Sequence, residues 1–170
     1  MSFFTSECLT RVTNQEFGIR DDKPNQPAYV DSAIQNKAYW LANVNNPQAL
    51  NLEFYAIDNC IIYENIQNEK ESTCDSAIQY KNEQLYFIEL KDRKSSGWLG
   101  KAAKQLKNTL SLYKQNQANP ANKIECYVCN PQKPSAPTSN LSYLKSFKQE
   151  TGYKLNVSVQ INIVSNENVL

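Results

Sequence analysis

Apolar residues recur every three or four positions between residues 27 and 46, and this spacing predicts the first long helix. Pro27 stands near the start of the segment, where proline suits a first helical turn, and a cluster of Asn residues follows at its end. The predicted apolar face consists of Val30, Ile34, Ala38, Leu41 and Val44. A shorter helix is expected near residues 13–18.

Three apolar segments then predict three strands, because they are rich in β-branched and aromatic residues. The second and third segments would form a hairpin through the turn-like sequence KNEQ. The three predicted strands are residues 51–63, 72–80 and 84–91.

The strongest helical pattern covers residues 98–117, where six apolar residues share one face. Those residues are Leu99, Ala102, Ala103, Leu106, Leu110 and Tyr113. The segments that follow are a strand at 123–130, a proline-rich loop at 131–140, a helix at 141–152 that Gly152 closes, and an alternating strand at 153–164. This order predicts one domain over residues 1–170 with an α/β or α+β fold, in which helices flank a central mixed β-sheet.

The composition is that of a soluble globular protein, with 41% hydrophobic and 21% charged residues. No apolar run approaches the roughly 20 residues that span a bilayer, so no membrane partner is expected. The start, MSFFTSECLTRV, lacks the basic and long apolar regions of a signal peptide. A cytoplasmic location is therefore predicted.

The chain has no histidine, which excludes Ser-His-Asp triads, Cys-His pairs and histidine metal ligands. The five cysteines are odd in number and are not spaced as in a small disulfide scaffold. Cys126 and Cys129 resemble half of a zinc site, but residues three apart on a strand point to opposite faces. Buried core cysteines are the favoured interpretation of this pair.

The predicted strand at 84–91 ends in two charged residues, Glu89 and Lys91, which point to one face because they are two positions apart. Taken alone, they fit a strand that simply emerges into water. Asp75 changes this interpretation, because the predicted hairpin brings it beside them. Two carboxylates offer the hard oxygen donors that Mg²⁺ or Mn²⁺ prefers, and a lysine beside the metal could orient water.

This shared site depends on the length of the hairpin loop. A two-residue loop would place Asp75 opposite Leu90, and its side chain would then face the wrong side. A three-residue loop that pairs Lys81 with Leu85 would place Asp75 opposite Lys91 and diagonal to Glu89. We therefore predict an odd-length loop or a β-bulge.

Asp75, thirteen intervening residues and then Glu89-Leu90-Lys91 resemble the motif of the PD-(D/E)xK nuclease superfamily, which has the restriction-endonuclease-like fold. The family core is a helix, three strands, a helix and a strand, and this is the order predicted for residues 27–130. Gln105 matches a glutamine that several branches carry on the second helix. Cys74 stands where the family motif has proline, which is a departure from the pattern.

The resemblance implies a metal-dependent nuclease that hydrolyses phosphodiester bonds, above all in DNA, and leaves a 5′-phosphate. Asp75 and Glu89 would bind Mg²⁺ or Mn²⁺ with the backbone carbonyl of Leu90. Lys91 would position or activate the water, and Gln105 would support the site or contact phosphate.

Many members of the superfamily place an additional acidic residue on the first helix. Asp31 lies within the predicted first helix, and Asp58 lies on the first predicted strand. Both are candidates for this residue, and the sequence does not separate them.

The net charge is only +1, but seven Lys or Arg residues and one acidic residue lie between Lys91 and Lys114. Five lysines could contact phosphate or form a solvated stripe: Lys94, Lys101, Lys104, Lys107 and Lys114. Trp98 could stack on a base, although a core position is favoured. Cleavage of both strands of a duplex would suggest a homodimer. The alternative function is a binding module that keeps the nuclease fold to recognise a protein partner, such as an immunity protein or a complex subunit.

Overall fold

The computed structural model describes residues 2–136 and 140–165, in which two mixed β-sheets and two α-helices form an α/β fold. The strands are β1 Leu9–Val12, β2 Glu16–Arg20, β3 Tyr29–Asp31, β4 Ala42–Asn45, β5 Leu52–Ala56, β6 Ser76–Tyr80, β7 Gln84–Leu90, β8 Lys123–Cys129, β9 Leu155–Val157 and β10 Gln160–Asn162. The α-helices are α1 Trp98–Asn116 and α2 Leu141–Thr151, and 3₁₀ turns cover Ser6–Cys8 and Ile34–Tyr39. None of the helices described is both long and apolar enough to cross a bilayer.

A six-stranded sheet in the order β1-β5-β6-β7-β8-β9 forms the centre of the molecule. Strands β5, β6 and β7 form an antiparallel meander, and β8 returns parallel to β7 after α1. The three predicted strands, the helix after them and the fourth strand are therefore confirmed, although β5 ends at Ala56.

Strand β7 is buried along its whole length, because it is covered on both faces. Leu85 and Phe87 belong to the core on the α1 side, whereas Tyr86 and Ile88 belong to the core shared with the second sheet. This alternation places Glu89, the next odd-numbered residue, on the α1 side.

The predicted first helix over residues 27–46 is wrong. This segment forms β3, a 3₁₀ turn and β4, and a second sheet has the order β10-β4-β2-β3. Ile34, expected on the apolar face, is 54% exposed, whereas Ala42 and Val44 of β4 alternate into the core. Pairing of β4 with both β2 and β10 satisfies its backbone groups, which outweighs a weak helical preference in an Asn-rich segment.

The short helix expected at residues 13–18 is also wrong, because this region enters β2. Phe17 and Ile19 alternate into the core between the sheets. Gly18 between them lies against the ring of Trp40, and a Cβ atom at Gly18 would come within 2.0 Å of that ring. The absence of a side chain at Gly18 lets Trp40 cover the strand.

The C-terminal prediction is correct for the helix and wrong for a single last strand. Helix α2 ends at Gly152, whose φ of 82° closes the helix as predicted. The segment 153–164 divides into β9, which joins the central sheet, and β10, which joins the second sheet. The loop predicted at 131–140 lacks regular structure over its described part, and residues 137–139 lie outside the described residues.

Two sets of cysteines have different environments. Cys126 and Cys129 are free and buried, as the core interpretation predicted. Cys8 and Cys60 form a disulfide that was not predicted, because 52 positions separate them and no local pattern marks the pair. This bond ties the segment before β1 to the turn after β5.

Loss of this disulfide is expected to lower the free energy of unfolding by about 4 kcal/mol, because the bond closes a loop of 52 residues in the unfolded chain. Urea denaturation of the oxidised and reduced protein would measure the change. The Cys8→Ser/Cys60→Ser double variant serves as a control and should match the reduced protein. Identical curves with and without reductant would contradict the expectation.

Candidate active site

The β6–β7 hairpin decides whether Asp75 and Glu89 share a site. Tyr80 pairs with Gln84, which leaves a loop of three residues, 81–83. The predicted odd loop length is therefore confirmed, but the register differs by two residues from the expected pairing. Ser76 pairs with Ile88, and the same register continued by one residue places Asp75 opposite Glu89 instead of Lys91. The two carboxyl groups therefore lie on one face of the sheet.

The side chains of Glu89, Lys91 and Gln105 form a continuous polar chain between β7 and α1. Glu89 is fully buried, and its Oε1 forms an ion pair with the amine of Lys91. The same amine donates a hydrogen bond to Oε1 of Gln105 at 3.0 Å. The amide of Gln105 then donates to the carbonyl of Thr73 at 3.1 Å, two residues before Asp75. The structure thus brings together the four residues that the sequence predicted as catalytic.

Asp75 is held by the backbone of the neighbouring strand. Its side chain accepts a hydrogen bond from the N–H of Leu90 at 2.6 Å, and only 7% of the residue is exposed. Burial raises the pKa of Asp75 to about 7, even though this hydrogen bond acts in the opposite direction. The side chain of Leu90 packs in the core between the sheets, and its predicted role as a carbonyl ligand stays a prediction.

Burial and the charge of a neighbouring carboxylate also act on Glu89. Burial, followed by the charge of Asp75, raises the pKa of Glu89 well above its usual range, and Lys91 opposes this shift. The second oxygen of Glu89, Oε2, is buried and has no hydrogen-bond partner among the described residues. A buried carboxylate oxygen without a partner is rare, because its desolvation is not offset. A proton or a bound cation would satisfy this oxygen.

Of the two proposed additional acids, only Asp58 approaches the site. Its backbone N–H donates to the carbonyl of Cys74 at 3.2 Å, and its charge raises the pKa of both Asp75 and Glu89. Its side chain is held by Lys70 at 2.6 Å. Asp31, in contrast, forms a salt bridge of 2.9 Å with Arg20 in the second sheet.

Asp21 is a residue at this site that the sequence interpretation missed. It follows β2, and partial burial and the charge of Asp58 raise its pKa, whereas Lys91 opposes this rise. The charge of Asp21 in turn raises the pKa of Asp75. The available signal was the alternating segment EFGIR followed by two aspartates, which marks the end of a strand.

The predicted lysine stripe, which lies on α1 and just before it, divides into two parts. Lys94, Lys101 and Lys104 are exposed, and their side chains form no salt bridge or hydrogen bond with another described residue. Lys107 binds Glu150 of α2 at 2.6 Å, and Lys114 contacts the carbonyl of Thr151. The part of the stripe near the carboxylates is therefore the part available to a ligand.

Trp98 is 3% exposed and packs in the core on the α1 side. A ring in this position supports the start of α1 and does not offer an open face on which a base could stack. The core position that the sequence favoured is therefore the one observed.

Asp75 and Glu89 provide two carboxylates that could hold a divalent metal ion. Mg²⁺ commonly takes one or two protein carboxylates and completes its coordination with water and phosphate oxygens. Within residues 2–136 and 140–165, no group of three or more His, Cys, Asp or Glu side chains is arranged to hold a metal by itself. The unpartnered Oε2 of Glu89 and the charge of the pair make these donors chemically suitable for Mg²⁺ or Mn²⁺.

Comparisons of the chain with family models, with curated proteins and with solved structures found no match. The resemblance to a nuclease superfamily therefore depends on the motif and on the geometry of these few residues.

Proposed function

We propose that this chain is a metal-dependent nuclease that hydrolyses phosphodiester bonds in DNA. The observation that carries the proposal is the environment of Glu89: a fully buried carboxylate that faces Asp75, pairs with Lys91 and keeps one oxygen without a partner. A binding surface has no need for this arrangement, which is costly to fold. Carboxyl groups whose pKa is strongly shifted and that have a defined charge partner are typical of active sites.

The order of elements supports a restriction-endonuclease-like core, with one departure in the elements and one in the motif. Strands β5, β6 and β7, helix α1 and strand β8 follow the superfamily order, with Asp75 before β6 and Glu89 near the end of β7. The superfamily's first helix has no counterpart here, because the second sheet occupies that part of the chain. Cys74 in place of proline is a second departure.

Each residue of the site has a distinct role in the proposed reaction. A metal ion bound to Asp75 and Glu89 would offset charge on the phosphate and lower the pKa of a water molecule. Lys91, fixed between Glu89 and Gln105, would orient that water and stabilise negative charge as it develops. The water oxygen bonds to phosphorus, the bond from phosphorus to the 3′ oxygen breaks, and this oxygen takes up a proton. The products are a 3′-hydroxyl and a 5′-phosphate.

Binding of Mg²⁺ and cleavage are both expected to increase as the pH rises from 6 to 8. A metal ion competes with a proton for Asp75, whose pKa of about 7 leaves it largely protonated at pH 6. Calorimetric titration with Mg²⁺ at both pH values, and cleavage of single- and double-stranded DNA with Mg²⁺, Mn²⁺ or EDTA, would test the proposal. We expect about tenfold weaker binding at pH 6.

Activity that persists in EDTA, or an absence of cleavage with both metals on both substrates, would contradict the nuclease proposal. The second outcome would favour the protein-binding alternative, in which a partner binds equally well with and without a chelator.

A further inference from the structure

A small basic cavity lies directly beside Lys91. Its volume is about 200 Å³, and it lies between the chain after β7 and the first turns of α1. Three cationic residues, two hydroxyl residues and one amide form most of its wall: Lys91, Arg93, Lys101, Ser95, Ser96 and Gln105. Four other surface cavities each include at least one carboxylate. The wall of this cavity contains none, so its field attracts anions.

Two of the three cations of this cavity are available to a ligand, whereas Lys91 already forms an ion pair with Glu89. The side chains of Arg93 and Lys101 form no salt bridge or hydrogen bond with another described residue. The backbone of Arg93 is nevertheless fixed, because its N–H and carbonyl both bond to the side chain of buried Asn130, at 3.3 and 2.9 Å. Helix α1 begins at the same cavity without a side-chain cap, so its first N–H groups add positive potential.

We propose that this cavity binds the terminal phosphate of a nucleic acid strand, so that the protein acts at strand ends. The space of about 200 Å³ admits one phosphate group with part of its sugar but not a base pair. A terminal phosphate carries a charge of about −1.5 to −2, against −1 for a phosphate within the chain. It is therefore attracted more strongly by the unpaired side chains of Arg93 and Lys101 and by the positive end of α1. This inference rests on the proposed nuclease function and specifies its substrate.

The position of Lys91 connects the cavity to the reaction. Its amine contacts Glu89 of the carboxylate pair and Gln105 of the cavity wall. A strand whose terminal phosphate occupies the cavity would therefore place a phosphodiester bond near its end at the carboxylates. Cuts close to a phosphorylated end are the expected products.

The test compares three oligonucleotides that share one sequence and an internal fluorophore. One carries a 5′-phosphate, one a 3′-phosphate and one neither, and fluorescence anisotropy in EDTA measures binding separately from cleavage. We expect one phosphorylated strand to bind about tenfold tighter than the strand without phosphate. The strand that binds tighter identifies which end is recognised. Equal affinity for all three strands would overturn the inference.

Variants test whether the cavity causes the preference. Arg93→Ala and Lys101→Ala should each reduce the tenfold difference to about twofold or less. Lys123→Ala is the matched control, because Lys123 is an exposed lysine at the opposite end of the central sheet. Equal loss of preference in Lys123→Ala would overturn the inference, since the preference would then reflect overall charge.

Cleavage assays distinguish failure of this inference from failure of the proposed function. Cleavage of circular and linear strands at equal rates, without any preference in binding, would support the nuclease and overturn recognition of ends. A preference for one phosphorylated end without cleavage of any substrate in Mg²⁺ or Mn²⁺ would overturn the nuclease and leave the phosphate cavity supported.

Discussion

Replacement of Glu89 by Gln is expected to reduce Mg²⁺-dependent cleavage of DNA by about a thousandfold or more. Glutamine has nearly the same shape, and its amide oxygen can still accept a hydrogen bond from Lys91. The negative charge at this buried position is lost, and with it the affinity for a divalent cation. Calorimetry with Mg²⁺ and single-turnover cleavage would measure both effects.

A matched control for Glu89→Gln is Glu125→Gln, which makes the same chemical change on the neighbouring strand β8. Glu125 pairs with Lys123 at 2.6 Å, away from the carboxylate pair, so its replacement should leave cleavage within about twofold of wild type. Thermal unfolding would verify that both variants fold. Full activity of a folded Glu89→Gln variant would remove Glu89 from the mechanism and would refute the proposed site.

Replacement of Asp75 by Asn is expected to stabilise the protein at pH 8 while it abolishes metal binding. Burial raises the pKa of Asp75 to about 7 in the folded chain, against about 3.9 for an aspartate in an unfolded chain. Between these two values the folded state binds more protons than the unfolded state. The free energy of unfolding contributed by Asp75 is therefore fully present below pH 4 and is lost as the pH rises through 7.

Asparagine does not titrate, and its carbonyl oxygen can still accept the hydrogen bond from Leu90. The Asp75→Asn variant should therefore exceed wild type by on the order of 2 kcal/mol at pH 8, which is about 4–8 °C in Tm for a chain of this size. At pH 4 the two proteins should have similar stability. Differential scanning calorimetry across this range would measure the difference.

The exposed residue Asp92 provides the control for this experiment, because Asp92→Asn makes the same chemical change at a carboxylate that is exposed to solvent. Its effect on Tm should be small at both pH values. In addition, millimolar Mg²⁺ should raise the Tm of wild type and leave that of Asp75→Asn unchanged. A lower Tm for Asp75→Asn at pH 8 would show that Asp75 stabilises the fold as a charged group, contrary to the burial argument.

Local patterns along the chain were sufficient for the central part of the fold and for the catalytic candidates. The apolar face of α1, the continuous apolar run of β7 and the turn before it all specify their structures through neighbouring residues. Glu89 and Lys91 were identifiable because two charges that end such a run conflict with burial. Gln105 was proposed from the resemblance to the nuclease superfamily, some branches of which carry a glutamine on the helix after that strand.

The second sheet, and the acidic residue that it brings to the candidate site, could not be predicted because they depend on contacts between segments far apart in the sequence. Strand β4 pairs with β10, more than a hundred residues away, so its short Asn-rich segment was mistaken for a helix. Because β2 was missed, Asp21 at its end was missed as well. The disulfide between Cys8 and Cys60 is a contact of the same long-range kind.

The sequence by itself determined which residues could perform the proposed chemistry, because residue type and local periodicity do not depend on tertiary contacts. Only the tertiary structure decided that Asp75 lies opposite Glu89, since a change of one residue in the 81–83 loop would turn one side chain to the other face. Only the tertiary structure decided that Glu89 is fully buried, because that required α1 and the second sheet to cover β7 from both sides. Burial by segments that are distant in the sequence raises the pKa of both carboxyl groups above the usual range.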